Sequence, residues 1–230
     1  MAHPAVNSFN ALSSRLSAEV GIAIASVGSS PVCLGTWTSG VAWSTSKVPL
    51  VIAASRAGVG SHELFAQTIA QSDNTAAEEL WSQLGDPARA AQQVQDVIRE
   101  AGDPATMVES RRLREGYTAF GQTRWSLADQ ARFAAGLAQL AEASPVVDLM
   151  RGLTTDHRWG LAAKGFAAKG GWGPGLADDY LVRQFGIVPT ASGTVGVAIA
   201  AEVHDGEYEA GVDVVNRLAD WVVDEALSQQ

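Results

Sequence analysis

Apolar and polar residues follow two patterns along the chain, one at its ends and one in its middle. Apolar runs with the length and composition of buried strands lie near 19–26 and 31–37, and again at 166–172, 180–188 and 194–203. Between these two groups, apolar residues recur every three or four positions, which is the spacing of helices. The pattern predicts strands at both ends of the chain around an inserted helical block.

Several predicted helices have recognisable ends. Asp86 is a favourable N-cap residue, Pro87 suits the first helical position, and Gly102 marks the end of the helix that they open. Ser126 is followed three residues later by an acidic residue, which resembles a capping box. The predicted helices are 6–17, 75–83, 87–102, 126–142 and 207–228.

The two strand-forming ends are expected to pair into one antiparallel sheet, with the first and last helices packed on it. This arrangement is an α+β fold. Residues 1–40 and 155–230 would form a discontinuous sheet domain, and residues 41–154 a helical domain. A functional site would be expected between the two domains.

The length suits one large domain or two interleaved ones, and the composition excludes several classes of protein. The chain has 230 residues, of which 47% are hydrophobic and 18% charged, so it can bury a large core and is not intrinsically disordered. A net charge of −9 argues against nucleic acid or an anionic membrane as a partner. Cys33 is the only cysteine, which excludes an intrachain disulfide and a cysteine metal site. We expect no metal and no cofactor.

No segment has the features of a membrane span or a signal peptide. Apolar runs fall short of the roughly 18 to 20 residues that cross a bilayer, and residues 1–17 lack a basic region followed by an apolar one. The protein would be exported if a signal peptide had been removed, and cytoplasmic otherwise. We expect a monomer without a membrane span.

The basic residues are distributed unevenly between arginine and lysine. Of 16 basic residues only three are lysines, Lys47, Lys164 and Lys169. Arginine stays protonated in proteins, whereas the pKa of lysine can be lowered until it acts as a base. The alternative is a composition bias that left three lysines without a role.

The first candidate for chemistry is Ser44, which precedes Lys47 by three residues. This spacing at the start of a helix places both side chains on one face, and Pro49 is tolerated only near such a start. A neutral Lys47 could take the proton of Ser44 and make it a nucleophile. Taken alone, a serine–lysine pair at this spacing also arises by chance.

A second group of polar residues, Ser72, Asp73 and Asn74, precedes the helix predicted over 75–83. All three residue types are good N-caps, so capping is one explanation of the triplet. The other explanation is a role in a site together with Ser44.

The third group is Lys169-Gly170-Gly171-Trp172 on a predicted strand. A lysine there could be a solvated charge that protects a sheet edge. The two glycines permit close approach of a substrate or of another backbone segment. Lys164, which also precedes a glycine, is an alternative candidate for the same role.

Ser-x-x-Lys, Ser-Asp-Asn and Lys-Gly-Gly in this order resemble the signature of the penicillin-recognising serine enzymes, the class A β-lactamases and DD-peptidases. The resemblance covers essentially the whole chain and implies that family's fold, an antiparallel sheet with terminal helices and an inserted helical domain. It also implies a serine hydrolase that forms an acyl-enzyme on a β-lactam or a related small amide or ester.

The resemblance implies a role for each matching residue. Ser44 would attack the carbonyl, and Lys47 would be its general base. Ser72 would relay a proton to the leaving nitrogen, Asn74 would position Lys47 and the substrate amide, and Lys169 would supply positive potential for an anionic substrate. Asp73 would cap the helix that follows it.

The resemblance also implies a substrate site along Gly170, Gly171 and Trp172. The backbone N–H groups of Ser44 and Trp172 would form the oxyanion hole. The family usually has threonine or serine in place of Gly170, and that hydroxyl binds the carboxylate of the substrate. We therefore expect a small substrate with a carboxylate, recognised more weakly than in the family or with help from Trp172 or an arginine.

Deacylation in class A enzymes uses a glutamate in a loop, which corresponds here to residues 103–125. Glu115 is the better candidate and Glu109 the other, although the family's Glu-x-x-x-Asn pattern is missing. Alternatively, both glutamates pair with nearby arginines at the surface. Without such a base the protein would be a slowly deacylating DD-peptidase-like or esterase-like enzyme, or a non-catalytic binding protein.

Overall fold

The computed structural model describes residues 4–176, 178–191, 193–204 and 206–226. Most of its strands form one antiparallel sheet in the order β2-β1-β7-β6-β5, and β3 pairs with β4 in a second, smaller sheet. The predicted pairing of the two chain ends is therefore confirmed. The strands are β1 (Glu19–Ala25), β2 (Val32–Gly35), β3 (Ser39–Val41), β4 (Arg124–Ser126), β5 (Ala167–Pro174), β6 (Asp179–Thr190) and β7 (Gly193–His204).

The helices lie at both termini and in the middle of the chain, as predicted. Short 3₁₀ segments connect several of them, and Val222–Ala226 extends the last helix as a π-helix. Residues 227 and 228 of the predicted closing helix lie outside the described residues. The α-helices are α1 (Pro4–Ser13), α2 (Lys47–Arg56), α3 (His62–Ala70), α4 (Asn74–Gln83), α5 (Pro87–Glu100), α6 (Leu127–Gly136), α7 (Ala143–Arg151) and α8 (Tyr208–Trp221).

Both faces of the main sheet are buried, each by a different set of helices. Successive strand residues point to opposite faces, so in β7 the side chains of Val197 and Ile199 pack with α1 and α8, whereas Ala198 and Ala200 pack with α2 and α6. The near-continuous apolar runs of the central strands follow from this double coverage. The sheet therefore separates two apolar cores.

The predicted helix caps are present at α5 and α6. One carboxylate oxygen of Asp86 accepts hydrogen bonds from two backbone N–H groups at the start of α5, both at 3.0 Å. Gly102, at a φ of +98°, follows the end of α5. The hydroxyl of Ser126 accepts from the backbone N–H of Asp129 and caps α6. This helix is shorter than predicted, since it ends at Gly136 and passes into a 3₁₀ turn.

The small sheet of β3 and β4 was not predicted. Each strand has three residues, which is too short for an alternating pattern to stand out from its surroundings. Their pairing, with Gly40 opposite Trp125, lies just before the turn that carries Ser44. This turn packs against β5, one of the two edge strands of the main sheet.

Candidate active site

Ser44 lies in a 3₁₀ turn, Trp43–Ser46, that leads directly into α2. Within this turn the hydroxyl of Ser46 donates to the backbone oxygen of Trp43 at 2.7 Å. Trp43 has a φ of +51°, a left-handed conformation that is costly for a large side chain. Ser44 is half-buried and Lys47 is buried, and both line one cavity.

Lys47 has hydrogen-bond partners but no ion pair among the described residues. Its ammonium Nζ donates to Asn74 Oδ1 at 2.7 Å and to the backbone oxygen of Ser72, and it lies 3.4 Å from Ser72 Oγ. Burial lowers the pKa of Lys47 to about 7, although the nearby carboxylate of Asp73 acts in the opposite direction. A substantial fraction of Lys47 is therefore neutral at physiological pH.

The Ser-Asp-Asn segment both caps a helix and contributes to the cluster. Asp73 accepts a hydrogen bond from the backbone N–H of Ala76 at 2.7 Å and caps α4, as expected. Ser72 adopts a φ of +55°, and its hydroxyl lies between the two ammonium groups of Lys47 and Lys169. Capping of α4 thus explains Asp73, whereas Ser72 and Asn74 contact the lysines.

Lys169 is buried beneath the site and is not a solvated edge charge. It belongs to the edge strand, but its side chain points inward and is 1% exposed. Its Nζ donates to Ser72 Oγ at 2.8 Å and to the backbone oxygen of Gly170 at 3.0 Å. Burial, followed by the charge of Lys47, lowers the pKa of Lys169 well below its usual value. Two lysines thus share one serine hydroxyl.

Two glycines allow β5 to approach the turn of Ser44 closely. A Cβ built on Gly171 would lie 2.9 Å from the backbone nitrogen of Ser44, and one on Gly173 would lie 2.5 Å from the indole ring of Trp43. Real Cβ atoms do not make such contacts, so larger residues would separate the strand from the turn. The glycines therefore set the distance between Ser44 and the backbone near Trp172.

These elements enclose a cavity of about 140 Å³. Ser44 and three of its predicted partners line this cavity, and aromatic side chains form much of the remaining wall. None of the lining residues is acidic. The lining residues are Trp43, Ser44, Lys47, Ser72, Asn74, Tyr117, Thr118 and Trp172.

The structure does not bring Glu115 to this cavity. Glu115 is exposed, and among the described residues it forms no hydrogen bond or ion pair. Glu109 pairs with Arg111 at 3.2 Å, which lowers the pKa of that carboxyl group. Lys164, the alternative to Lys169, is exposed in its 3₁₀ turn and forms an ion pair with Asp220.

The loop that carries Glu115 is attached at two points next to the cavity. Arg112 pairs with Glu78 of α4 at 2.9 Å. Arg114 donates to the backbone oxygen of Pro174 at 2.8 Å, and its guanidinium lies 4.5 Å from the ring centre of Tyr117. Tyr117 in turn packs edge-on against Trp43. The loop contributes aromatic and hydroxyl groups to the cavity wall in place of a carboxylate.

Sequence reasoning missed a buried arginine, Arg183, that supports the turn from below. Its side chain is fully buried, and it donates to Gln130 Oε1 at 2.9 Å, while Gln130 donates to Thr45 Oγ1 at 3.0 Å. Burial lowers the pKa of Arg183 to about 9, so it remains charged at neutral pH. The signal available in the sequence was an arginine within an apolar strand, where an unpaired charge would be costly.

Within the described part of the chain, no group of three or more potential ligands is placed to hold a metal ion. In the same residues, no helix is long and apolar enough to cross a membrane.

Comparisons with known proteins agree on one family. The model of the β-lactamase enzyme family matches residues 57–226, a segment that begins after Lys47. None of the curated proteins searched by sequence matches the chain.

Similar solved structures include a class A β-lactamase from Bacteroides cellulosilyticus, with a TM-score of 0.77, 14% identity and coverage of 97% of each chain. The TLA-3 extended-spectrum β-lactamase has a TM-score of 0.76 and 14% identity over 97% of this chain and 98% of its own. A β-lactamase from Chitinophaga pinensis has a TM-score of 0.74 and 18% identity over 97% of this chain and 100% of its own.

Proposed function

Because this chain belongs to the β-lactamase enzyme family, we propose that it is a serine hydrolase that forms an acyl-enzyme at Ser44. Its substrates would be β-lactams or related small amides and esters. The observation that carries the proposal is the position of Lys47. This amine lies one helical turn from the nucleophile, with a pKa of about 7, and is hydrogen-bonded to Asn74 and Ser72.

In the proposed acylation, Ser44 Oγ attacks the carbonyl carbon and its proton passes to the neutral Nζ of Lys47. The oxygen that gains negative charge is stabilised by the backbone N–H groups of Ser44 and Trp172. When the carbon–nitrogen bond breaks, the leaving nitrogen takes a proton through the hydroxyl of Ser72, which Lys47 replenishes. Hydrogen bonds from both lysines keep Ser72 in position for this relay.

The cavity lacks a carboxylate that could serve as the base for deacylation. Water must be activated by a base, and the residues that line the cavity include no carboxylate. Lys47 is then the available base for both steps. This observation favours a slowly deacylating enzyme of the DD-peptidase or esterase kind over a rapid β-lactamase. It predicts that Glu115→Gln leaves the deacylation rate within about twofold of wild type, because the glutamate is exposed and outside the cavity.

The test is intact-protein mass spectrometry over time, with benzylpenicillin and with the neutral ester p-nitrophenyl phenylacetate. We expect an adduct on the wild type and on Ser82→Ala, an exposed serine of α4, and none on Ser44→Ala. Decay of the adduct over minutes to hours would identify slow deacylation, whereas turnover without an observable adduct would identify an efficient hydrolase. If neither compound formed an adduct or was consumed, the proposed hydrolase activity would be contradicted, and the protein would be interpreted as a binding protein of the same fold.

A further inference from the structure

The cavity at Ser44 is too small to hold most of a substrate. Its volume of about 140 Å³ is below the roughly 300 to 1,000 Å³ that small-molecule sites usually have. A larger groove of about 550 Å³ shares the residue Trp43 with this cavity. The groove is lined by apolar residues such as Trp37 and Leu181, and also by Arg114. A substrate group that leaves the cavity past Trp43 would therefore enter this groove.

Strand β5 sets the order of the contacts along the site. Near its start, Lys169 donates to Ser72 at 2.8 Å, and in its middle Gly171 lies against the backbone nitrogen of Ser44. At its end, a backbone oxygen accepts a hydrogen bond from Arg114 at 2.8 Å. In the proposed acylation Ser72 passes a proton to the leaving nitrogen, so the leaving group lies toward Lys169. The acyl part of the substrate then extends the other way, toward Arg114, which binds the strand roughly 10 Å beyond Gly171.

Arg114 is a half-buried cation that forms no ion pair among the described residues. Its guanidinium carbon lies 4.5 Å from the ring centre of Tyr117 and 5.8 Å from that of Trp43. Both aromatic residues line the cavity, so this positive charge lies beside the path of the acyl group. Two other arginines of the same loop differ from Arg114, because each pairs with a glutamate.

The carboxylates of the groove do not pair with Arg114. Asp179 and Glu202 line the groove together with a second arginine, Arg124. The carboxylate of Asp179 lies against the turn that follows β5, and Glu202 accepts a hydrogen bond from Trp37. One N–H of Arg114 is used by the backbone oxygen of β5, and its other donors have no partner among the described residues. The guanidinium can therefore bind a carboxylate through two parallel hydrogen bonds.

Resting on the proposed function, we infer that the acyl part of the substrate carries a carboxylate that binds to Arg114. The rings of Trp43 and Tyr117 would pack against the apolar atoms between this carboxylate and the reacting carbonyl. A carboxylate on the leaving-group side would lie at the opposite end of the site, toward Lys169, so one substrate can carry both. The preferred substrates are thus amides, esters or lactams whose acyl part is anionic.

The test uses benzylpenicillin and carbenicillin, which has one additional carboxylate on the α-carbon of the acyl side chain. The quantity measured is the ratio of their second-order rate constants for formation of the Ser44 adduct, carbenicillin over benzylpenicillin. We expect this ratio to be at least about 10-fold higher in the wild type than in Arg114→Gln. Arg111→Gln, which removes an ion-paired arginine of the same loop, should keep the ratio within about twofold of wild type. High salt should lower the wild-type ratio, because it screens the charge.

The ratio separates recognition of charge from support of the loop. Loss of the hydrogen bond between Arg114 and β5 would slow both compounds alike and leave the ratio unchanged. Arg114→Lys keeps the charge without the paired donors, and its ratio should lie between those of wild type and Arg114→Gln.

An equal ratio in wild type and Arg114→Gln would overturn the inference and leave the proposed hydrolase intact. Failure of carbenicillin to form an adduct, in a preparation that p-nitrophenyl phenylacetate acylates at Ser44, would likewise overturn the inference alone. If none of the three compounds formed an adduct, both the inference and the proposed function would be contradicted.

Discussion

At the scale of single residues, the ionisation of Lys47 determines when Ser44 can react. The proposed base must be neutral, and its pKa is about 7. The acylation rate should therefore rise with pH, with a midpoint near 7, and level off above pH 8. Lys47→Ala should lower the rate at the plateau by at least about 100-fold, whereas Lys164→Ala, at an exposed ion pair, should retain the wild-type profile. A profile that is flat between pH 6 and 8 would contradict this role.

The lowered pKa of Lys47 should also affect how the free energy of unfolding depends on pH. The folded-state pKa lies below the unfolded value, so between about pH 7 and 10.5 the unfolded chain holds a proton that the folded chain lacks. This contribution to the free energy of unfolding rises with pH across that window, by up to about 1.4 kcal/mol per unit. Lys47→Met should reduce the rise to the part contributed by Lys169, whose pKa is also lowered, and Lys164→Met should keep the whole rise, in urea unfolding at pH 7 and pH 9. Equal slopes for wild type and Lys47→Met would contradict the lowered pKa.

At the scale of elements, the closeness of β5 to the turn of Ser44 depends on the absence of a side chain. Gly171→Ala places a Cβ 2.9 Å from the backbone nitrogen of Ser44. We expect a loss of about 1 to 3 kcal/mol in the free energy of unfolding, together with slower acylation. The matched control is Gly152→Ala, where the nearest atoms are at an ordinary 3.6 Å, and the expected change is within about 0.5 kcal/mol. Denaturant unfolding and adduct formation measure both effects.

The elements differ in how far the sequence could predict them. Long strands such as β6 and β7 bury both faces, and their apolar runs are strong signals. The spacing of Ser44 and Lys47 was equally informative, because a helical turn fixes their relation locally. The lysine on β5 was ambiguous, since burial of a side chain on an edge strand depends on which residues cover it. Here Ser72, distant in sequence, supplies that partner.

At the scale of the whole molecule, contacts between distant segments were the least predictable. The sequence indicated that the two ends form a sheet, yet it did not show how the sheet meets the turn of Ser44. That junction depends on Arg183 of β6, whose guanidinium donates to the backbone oxygens of Gly40, Val41 and Trp125, each at 3.1 Å. Every residue has a backbone oxygen, so the sequence does not show which of these oxygens a buried arginine will bind. The partners of Arg183 could therefore not be predicted.

For the contacts of Arg183 with the small sheet and Gln130, we predict separate effects on stability and on the pH dependence of acylation. Arg183→Leu removes a buried charge together with the hydrogen bonds that it donates to the small sheet and to Gln130, so each of these buried acceptors loses a donor. The free energy of unfolding should fall by about 3 kcal/mol or more, whereas Arg217→Leu, at an exposed position of α8, should change it by less than about 0.5 kcal/mol. Because Arg183 is linked to the turn through Gln130 and donates its other hydrogen bonds to β3 and β4, the folded fraction of Arg183→Leu should acylate with the wild-type pH midpoint at a reduced rate. A stable variant that acylates at the wild-type rate would show that the turn holds its shape without support from the sheet.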